Sequence, residues 1–348
     1  MENEQKPEPV PLLKVGLTYN LKKMSDSDIL DAEAEYDNIE TVLAIKEALE
    51  SAQCQVELLE ATEELPAKLA GHPVDIVFNI AEGIQGRGRE AQVPAILNYF
   101  RIPYTGSDET TLCLALDKAL TKRILATYRI RTPQYRVITV EKPSLSGKIR
   151  FPAIVKPNAE GSSKGISDVA VVSDSHELKE LVTKNLKDYK QDMLVEEYIS
   201  GREFTVGILG NGSDAHVFRP MEIIYLDEQS KYKIYSYQVK QNYKKLIRYE
   251  CPAPLSAGTE AEMMETARKI YRILSCRDCA RIDFRLSPDG RLYFIEINPL
   301  PGLAPGYSDY PMLAEFCGVD YTSLVQGVLD SALKRYGIRS GLQRSVTI

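Results

Sequence analysis

Two short stretches late in the chain constrain the fold most. Arg281-Ile282-Asp283-Phe284-Arg285 alternates charged and apolar residues, and Leu292-Tyr293-Phe294-Ile295-Glu296-Ile297-Asn298 alternates again after the turn-forming Ser287-Pro288-Asp289-Gly290. Alternation with period two is the pattern of a strand with one covered face. Pro followed by Asp-Gly is strong turn chemistry. The stretches therefore predict a hairpin with an apolar face and a polar face. Arg281, Asp283 and Arg285 share the polar face of the first strand, and Glu296 and Asn298 share a face of the second. If the strands pair, Asp283, Glu296 and Asn298 converge, and three hard oxygen donors suit Mg²⁺ bound together with nucleotide phosphates. Arg281 beside them is placed to stabilise charge on a transferring phosphoryl group or a tetrahedral oxyanion. A solvated charged hairpin is the competing reading. The strong apolar positions and the abrupt stop at Asn298-Pro299 weigh against it.

The first hundred residues have a different grammar. A strand at 14–19, an amphipathic helix at 39–52, a strand at 55–59 and a nearly all-apolar strand at 74–80 alternate as βαβ units do. An uninterrupted apolar strand fits a parallel sheet covered on both faces. The turn chemistry of residues 102–107 predicts a boundary, followed by a helix at 117–128. Strands then become frequent, at 151–156, 168–172, 193–198, 203–209 and 216–224, which predicts α+β architecture with antiparallel sheet. A final helix is expected at 321–336. The expected division is an N-terminal α/β domain at 1–107, a central domain at 108–207 and a C-terminal domain at 208–348.

Between 156 and 165 the chain reads Lys156-Pro157-Asn158-Ala159-Glu160-Gly161-Ser162-Ser163-Lys164-Gly165. A strand delivers a lysine, and a loop of small residues lets backbone N–H and hydroxyl groups approach phosphate oxygens. This is not GxxxxGK[S/T], so a P-loop is excluded. A plain Gly/Ser hairpin loop is the alternative. Val195-Glu196-Glu197-Tyr198-Ile199, followed by Gly201-Arg202-Glu203, reads as strand, turn, strand, with carboxylates suited to an amino group and a ribose hydroxyl.

Acidic residues number 49 and basic residues 43, a formal charge of −6. That balance is a poor match to nucleic acid, which needs clustered cations. The one basic run, at 231–248, reads as a solvated face or a local phosphate site. No stretch approaches the roughly 18 apolar residues of a membrane span. Residues 1–11 lack the apolar core of a secretion signal and are expected to fray. Six scattered cysteines, including Cys276 and Cys279 in a CxxC without a second pair or nearby histidines, point to reduced structural thiols and a cytoplasmic protein.

Taken in order, these pieces resemble the ATP-grasp superfamily, and in detail the D-alanine–D-alanine ligases. The matching segments are 102–107 (IPYTGS), Leu116-Asp117-Lys118, 154–165 (IVKPNAEGSSKG), 195–210 (VEEYISGREFTVGILG), 235–240, Cys251-Pro252-Ala253, 281–284 and 295–302 (IEINPLPG). The resemblance implies the ATP-grasp fold, an N-terminal parallel-sheet domain followed by two α+β domains that enclose ATP. It implies that Lys118, Lys156 and Lys240 contact phosphates, that Glu196, Glu197, Tyr198 and Ile199 line the adenine pocket, and that Glu203 holds the ribose. Glu160, Ser162, Ser163 and Lys164 would belong to a lid over the phosphates. Asp283, Glu296 and Asn298 would bind two Mg²⁺ (or Mn²⁺) ions. Arg281 would stabilise the tetrahedral intermediate, with Ser162 and Lys240 in the same catalytic group, and Ser308 would sit near the second substrate's carboxylate. The implied reaction phosphorylates a carboxylate and lets an amine attack the acylphosphate. The implied partners are amino-acid-like small molecules, and the implied assembly is a homodimer through the N-terminal domain.

The chain departs from the family pattern where the first amino acid binds. The Glu-Arg-Glu-Val-Ser stretch is absent, and an acidic stretch at 25–36 stands there instead. The His-Gly signature is replaced by Phe78-Asn79-Ile80-Ala81-Glu82-Gly83, and the tyrosine expected after Lys240 is Gln241. Glu82, or an acid between Asp26 and Asp37, is therefore expected to replace the amine contact. A first substrate other than D-alanine, in a ligase of secondary metabolism, is the alternative, as is a non-catalytic nucleotide-binding module.

Overall fold

The structure is a computed structural model that describes residues 12–22, 36–71, 73–145, 147–160, 170–227 and 231–339. Three sheets organise it. In the first, β1 (Lys14–Tyr19) lies between β2 (Gln55–Glu60) and β3 (Ile76–Asn79), all parallel, with Leu17 opposite Leu58 on one side and Phe78 on the other. Five of the six β1 residues are buried, as expected when helices cover both faces. On one face lies α1 (Ile39–Glu50), which buries Val42, Ile45, Ala48 and Leu49, spaced as one stripe of a helix. On the other lie α2 (Leu65–Gly71) and α3 (Gln92–Phe100).

The chain then enters α4 (Glu109–Leu116) and α5 (Lys118–Thr127). Asp117 separates them and caps α5 by accepting the Leu120 N–H at 2.9 Å. The second sheet is antiparallel, in the order β4 (Tyr135–Ile138), β7 (Met193–Glu197), β5 (Ala153–Pro157), β6 (Val171–Val172), with α6 (Ser175–Tyr189) packed on it. In the third, β11 (Ile247–Glu250), β10 (Met221–Tyr225), β8 (Arg202–Leu209), β12 (Cys279–Leu286) and β13 (Leu292–Asn298) are neighbours in that order, and β9 (His216–Val217) extends β8. The expected strand at 216–224 is broken into β9 and β10 around Pro220, which has no N–H to give to a ladder. Strand β8 runs unbroken through the expected 207/208 division, and the turn between sheets falls at Gly201. There φ is +114°, and a Cβ would lie 2.2 Å from the Leu286 carbonyl oxygen.

Two short helices, α7 (Tyr237–Gln241) and α8 (Tyr243–Leu246), precede β11. The helix α9 (Ala257–Ile273) covers the apolar face of the third sheet with Met263, Ala267, Ile270 and Tyr271. After β13 come α10 (Asp309–Phe316) and α11 (Tyr321–Tyr336). The last helix, at the bounds expected for it, returns to the first sheet. Leu324, Val325, Val328 and Leu329 share one apolar cluster with Val15, Leu17, Val42 and Ile45. Arg335 of α11 pairs with the fully buried Asp278 at 2.7 Å and donates to the Tyr104 carbonyl at 2.8 Å. Asp278 also accepts the Gly106 N–H at 2.8 Å. This knot ties the third sheet to the exit of the first. Removing one partner of a buried pair strands the other charge, so Arg335→Leu is expected to cost about 3–5 kcal/mol. Urea unfolding of the two proteins measures it.

Candidate functional site

The site is built where the three sheets meet. Strand β5 brings Lys156, and its neighbour β7 brings Glu196, opposite Ile154 in the register. Their charged ends meet at 2.5 Å. On the first turns of α5, Lys118 and Lys122 stand four residues apart and share a helix face. Lys122, fully buried, places Nζ 3.0 Å from the other oxygen of Glu196 and donates to the Ile295 carbonyl at 2.9 Å. Lys118 reaches Glu296 at 3.5 Å and donates to the Glu160 carbonyl.

These ion pairs set the charge states. Burial alone would raise the Glu196 carboxyl, but Lys122 and Lys156 outweigh it and hold the group ionised. Burial opposes charge on Lys156 too, and Glu196 restores it with a net upward shift. Burial depresses Lys122 to about 8, against the pull of Glu196. For Glu296, burial is overcome by Lys118, Lys156, Arg281 and Lys122, and the carboxyl is held at about 2. Asp283 is shifted upward, first by burial and further by Glu296, with Arg281 opposing.

The hairpin of β12 and β13 forms, with Asp283 facing Glu296, Arg281 facing Asn298 and an irregularity immediately after Asp283. Arg281 grips Asp283 through Nε at 3.1 Å and Nη2 at 2.9 Å. The Thr205 hydroxyl donates to Asp283 at 2.7 Å, and the Asn298 amide lies 3.4 Å from it. Behind Arg281 is Asp309, buried at the start of α10. It accepts from the hydroxyls of Tyr235 at 2.8 Å and Tyr249 at 2.9 Å, and its second oxygen lies 3.4 Å from the guanidinium.

Two cavities adjoin at Lys240 and Arg281, which line both. The smaller, about 80 Å³, is a slot between the second and third sheets, lined by Lys156, Glu196, Glu197, Tyr198, Ile199, Glu203 and Ile295 among others. At its far end Arg285 pairs with Glu203 at 2.6 Å, stacks on the Tyr198 ring at 5.0 Å and donates to the Ile199 carbonyl at 2.9 Å. Tyr225 donates to the same Glu203 oxygen at 2.6 Å. The larger cavity, about 420 Å³, opens toward the first sheet. Its walls include Lys22, Asp37, Glu82, Glu90, Gln241 and Ser308. Burial pushes the Asp37 carboxyl up to about 7, with Lys22 opposing.

A family model described as the D-ala D-ala ligase C-terminus matches residues 129–330. A D-alanine–D-alanine ligase of Bordetella petrii is 31% identical over 329 residues, 94% of each chain. The chain belongs to the D-alanine–D-alanine ligase family. An uncharacterized protein of Sinorhizobium fredii is 35% identical over 261 residues, 75% of each chain. The D-alanine–D-alanine ligase of Bacillus anthracis superimposes with a TM-score of 0.73 at 22% identity, covering 93% of this chain and 99% of that one. Its complex with ATP gives 0.71 at 21% identity, with 94% and 99% covered. The fold is ATP-grasp, and family membership makes the protein an ATP-dependent ligase.

For a ligase of this family, the structure brings together Lys118, Lys156, Glu196, Lys240, Arg281, Asp283, Glu296 and Asn298, and puts Glu82, Gln241 and Ser308 on the larger cavity. Gln241 donates to the Tyr307 hydroxyl at 2.9 Å. Glu197 lines the slot and lies 3.7 Å from Arg150 at its rim. The carboxylate of Glu160 is engaged by Arg89 at 3.2 Å and Gln191 at 2.5 Å. Ser162, Ser163 and Lys164 lie outside the described residues, as does the acidic stretch before Tyr36. Lys122 and Asp309 were not singled out in the sequence, and Arg285 was placed on the polar strand face without a role. Lys122 had a signal, its spacing of four from Lys118; Asp309 had none, because its partners come from β11 and the strand-free segment before α7. Among the described residues no helix is long and apolar enough to cross a membrane.

Because Lys122 and Lys156 share one carboxylate, removing Lys122 leaves Glu196 to Lys156 alone. Lys122→Met is expected to weaken Mg–ATP binding about tenfold, roughly 1.4 kcal/mol, and Lys122→Arg to keep most of the affinity. Isothermal titration with a non-hydrolysable ATP analogue checks this.

Proposed function

We propose that this protein joins two amino acids through an acylphosphate, with ATP in the slot and the amino acids in the larger cavity, and that D-alanine is the first substrate to test. The observation that carries the reading is the junction of the cavities at Lys240 and Arg281. A γ-phosphate leaving the slot and a carboxylate entering from the cavity would meet between two fixed cations. In this reading Tyr198 and Ile199 border the adenine, Glu203 accepts from the ribose, and Lys118, Lys156 and Lys240 hold phosphate oxygens. An oxygen of the first substrate's carboxylate attacks the γ-phosphorus, the bond to the β-phosphate breaks, and ADP leaves as the acylphosphate forms. The second substrate's amine then attacks the carbonyl carbon, Arg281 stabilises the oxyanion, and phosphate leaves as the amide forms. Ser308 fits the second substrate's carboxylate.

Asp283, Glu296 and the Asn298 amide oxygen form a hard donor set in which two carboxylates face each other across the hairpin. The upward shift of Asp283 reflects burial and that facing charge, which a divalent cation would offset. These residues would hold Mg²⁺, and bound Mg²⁺ supplies neutralisation of phosphate charge. Arg281 keeps Asp283 oriented and opposes the upward shift of its carboxyl.

Asp37 is the carboxylate best suited to the first substrate's ammonium group. It faces the cavity beside Lys22, and its backbone is pinned by the Asn20 carbonyl at 3.0 Å and the Lys22 N–H at 3.1 Å. A carboxyl raised to about 7 is neutral below that pH and ionised above it. The Michaelis constant for the amino acid is therefore expected to fall as pH rises through about 7, and Asp37→Asn to raise it and flatten the dependence. Steady-state assays between pH 6 and 8.5 test this.

Phosphate release from Mg–ATP across D- and L-amino acids, singly and in pairs, with mass analysis of products, tests the whole reading. D-alanyl-D-alanine is the expected product. Turnover only with another pair would replace the substrate, and silence with every pair would overturn the ligase reading. Asp283→Asn is expected to lower kcat about 10²- to 10³-fold.

A further inference from the structure

The stretch from Ile80 to Gln92 has two ends with different duties. Its first part borders the amino-acid cavity through Ile80 and Glu82. That part is held by the first unit. Gly83 donates to the Asn20 side chain at 3.0 Å, the Tyr36 hydroxyl donates to the carbonyls of Gly83 at 3.3 Å and Ile84 at 3.2 Å, and Ile84 donates to Gln92 at 2.9 Å. Its later part stays on the wall of that cavity through Glu90 but reaches beyond the first sheet with one side chain. The short 3-10 turn Arg89–Ala91 points Arg89 into the second sheet's territory.

There the guanidinium donates to the Ala159 carbonyl at 2.9 Å and lies 3.2 Å from the Glu160 carboxylate, with the two side chains only 7% and 10% exposed. Gln191 holds the other Glu160 oxygen at 2.5 Å, and the Lys118 ammonium donates to the Glu160 carbonyl. Arg87 meets Asp117, the cap residue next to Lys118, at 2.7 Å. Asp117 in turn accepts from Asn158 at 2.8 Å, two residues beyond Lys156. Arg87 is 71% exposed, and an exposed pair contributes little. Arg89 makes the buried, two-point contact and is the stronger tie.

We propose that Arg89 is a positioning residue that couples the amino-acid cavity to the phosphate-binding lysines. Movement of residues 80–88 on one side and of Ala159, Glu160 and Lys118 on the other is transmitted through its guanidinium. The inference rests on the placement of ATP phosphates at Lys118 and Lys156 given above. Coupling between sites is reciprocal, so nucleotide alone must be felt in the cavity wall.

The test is hydrogen exchange on the full chain, with and without Mg²⁺ and a non-hydrolysable ATP analogue. In the unaltered protein, amides in 82–92 are expected to slow about fivefold or more when nucleotide binds, a change within the ordinary range of coupling. In Arg89→Gln they are expected to slow less than about twofold, while amides of β5 and β7 slow in both proteins. Arg89→Lys, which keeps the charge and loses the two-point geometry, is expected to fall between. Glu160→Gln removes the pair from its other side and is read in the same way if Arg89→Gln does not fold. Equal slowing of 82–92 in the unaltered protein and in Arg89→Gln overturns the inference. So does a silent cavity wall in an unaltered protein whose β5 and β7 respond. Silence of β5 and β7 as well overturns the nucleotide placement, and this inference with it. A failure to form any dipeptide with these responses intact strikes only the proposed reaction.

Discussion

The site depends on one buried carboxylate. Glu196 lies between Lys122 and Lys156 at 3.0 and 2.5 Å, and the three side chains are almost wholly removed from water. Neither lysine would keep its charge at that depth alone, because desolvation penalises the ionised form. With the carboxylate shared, helix α5, strand β5 and strand β7 are bound at a single point, and the cluster keeps a net positive charge beside the slot. The arrangement is reversed at Arg281, where one cation is held between two carboxylates, Asp283 and Asp309, at 2.9 and 3.4 Å. In both clusters a buried charge is kept by opposite charges on neighbouring elements. The charged lining of the slot therefore depends on partners drawn from several elements.

The range in the chain over which each residue finds its partners explains which parts of the site were legible in the sequence. Asp283, Glu296 and Asn298 could be placed because strand alternation and a Pro-Asp-Gly turn fix which residues share a face, and the observed pairing of Asp283 with Glu296 follows that geometry. Lys156 could be placed at a strand end because the apolar run before it and the small-residue loop after it mark the strand, while a plain Gly/Ser hairpin loop fitted the same pattern. Asp309 could not, because it acts through tyrosines 60 and 74 residues away, and no local period connects them. Glu160 reads in sequence as part of a phosphate loop, whereas its carboxylate is engaged by Arg89 across a boundary between units.

Among the elements, the first sheet and the last helix were readable because their apolar stripes are wide and clean. The helix α6 went unread between two strands. Of its 15 residues only Leu178, Val182 and Asn185 are buried, a stripe too thin to stand out among lysines and glutamates. Helix α9 buries four of its 17 residues and was missed for the same reason. Pro220 was present in the sequence as a breaker, and the split of the expected 216–224 strand follows from its missing N–H.

The return of α11 to the first sheet has a consequence for how the molecule is made. Gln326 donates to the Ala48 carbonyl across 278 residues of chain, and the apolar cluster beneath joins Val15 and Leu17 to Leu329 and Leu333. On a ribosome, the face of α1 that this helix covers stays open until α11, about 270 residues further on, has been synthesised. The slot between the second and third sheets, whose strands all precede residue 299, can assemble earlier. The first sheet thus precedes the strands of the slot in the chain yet is sealed after them, and its exposed apolar face is the surface a chaperone would meet during synthesis.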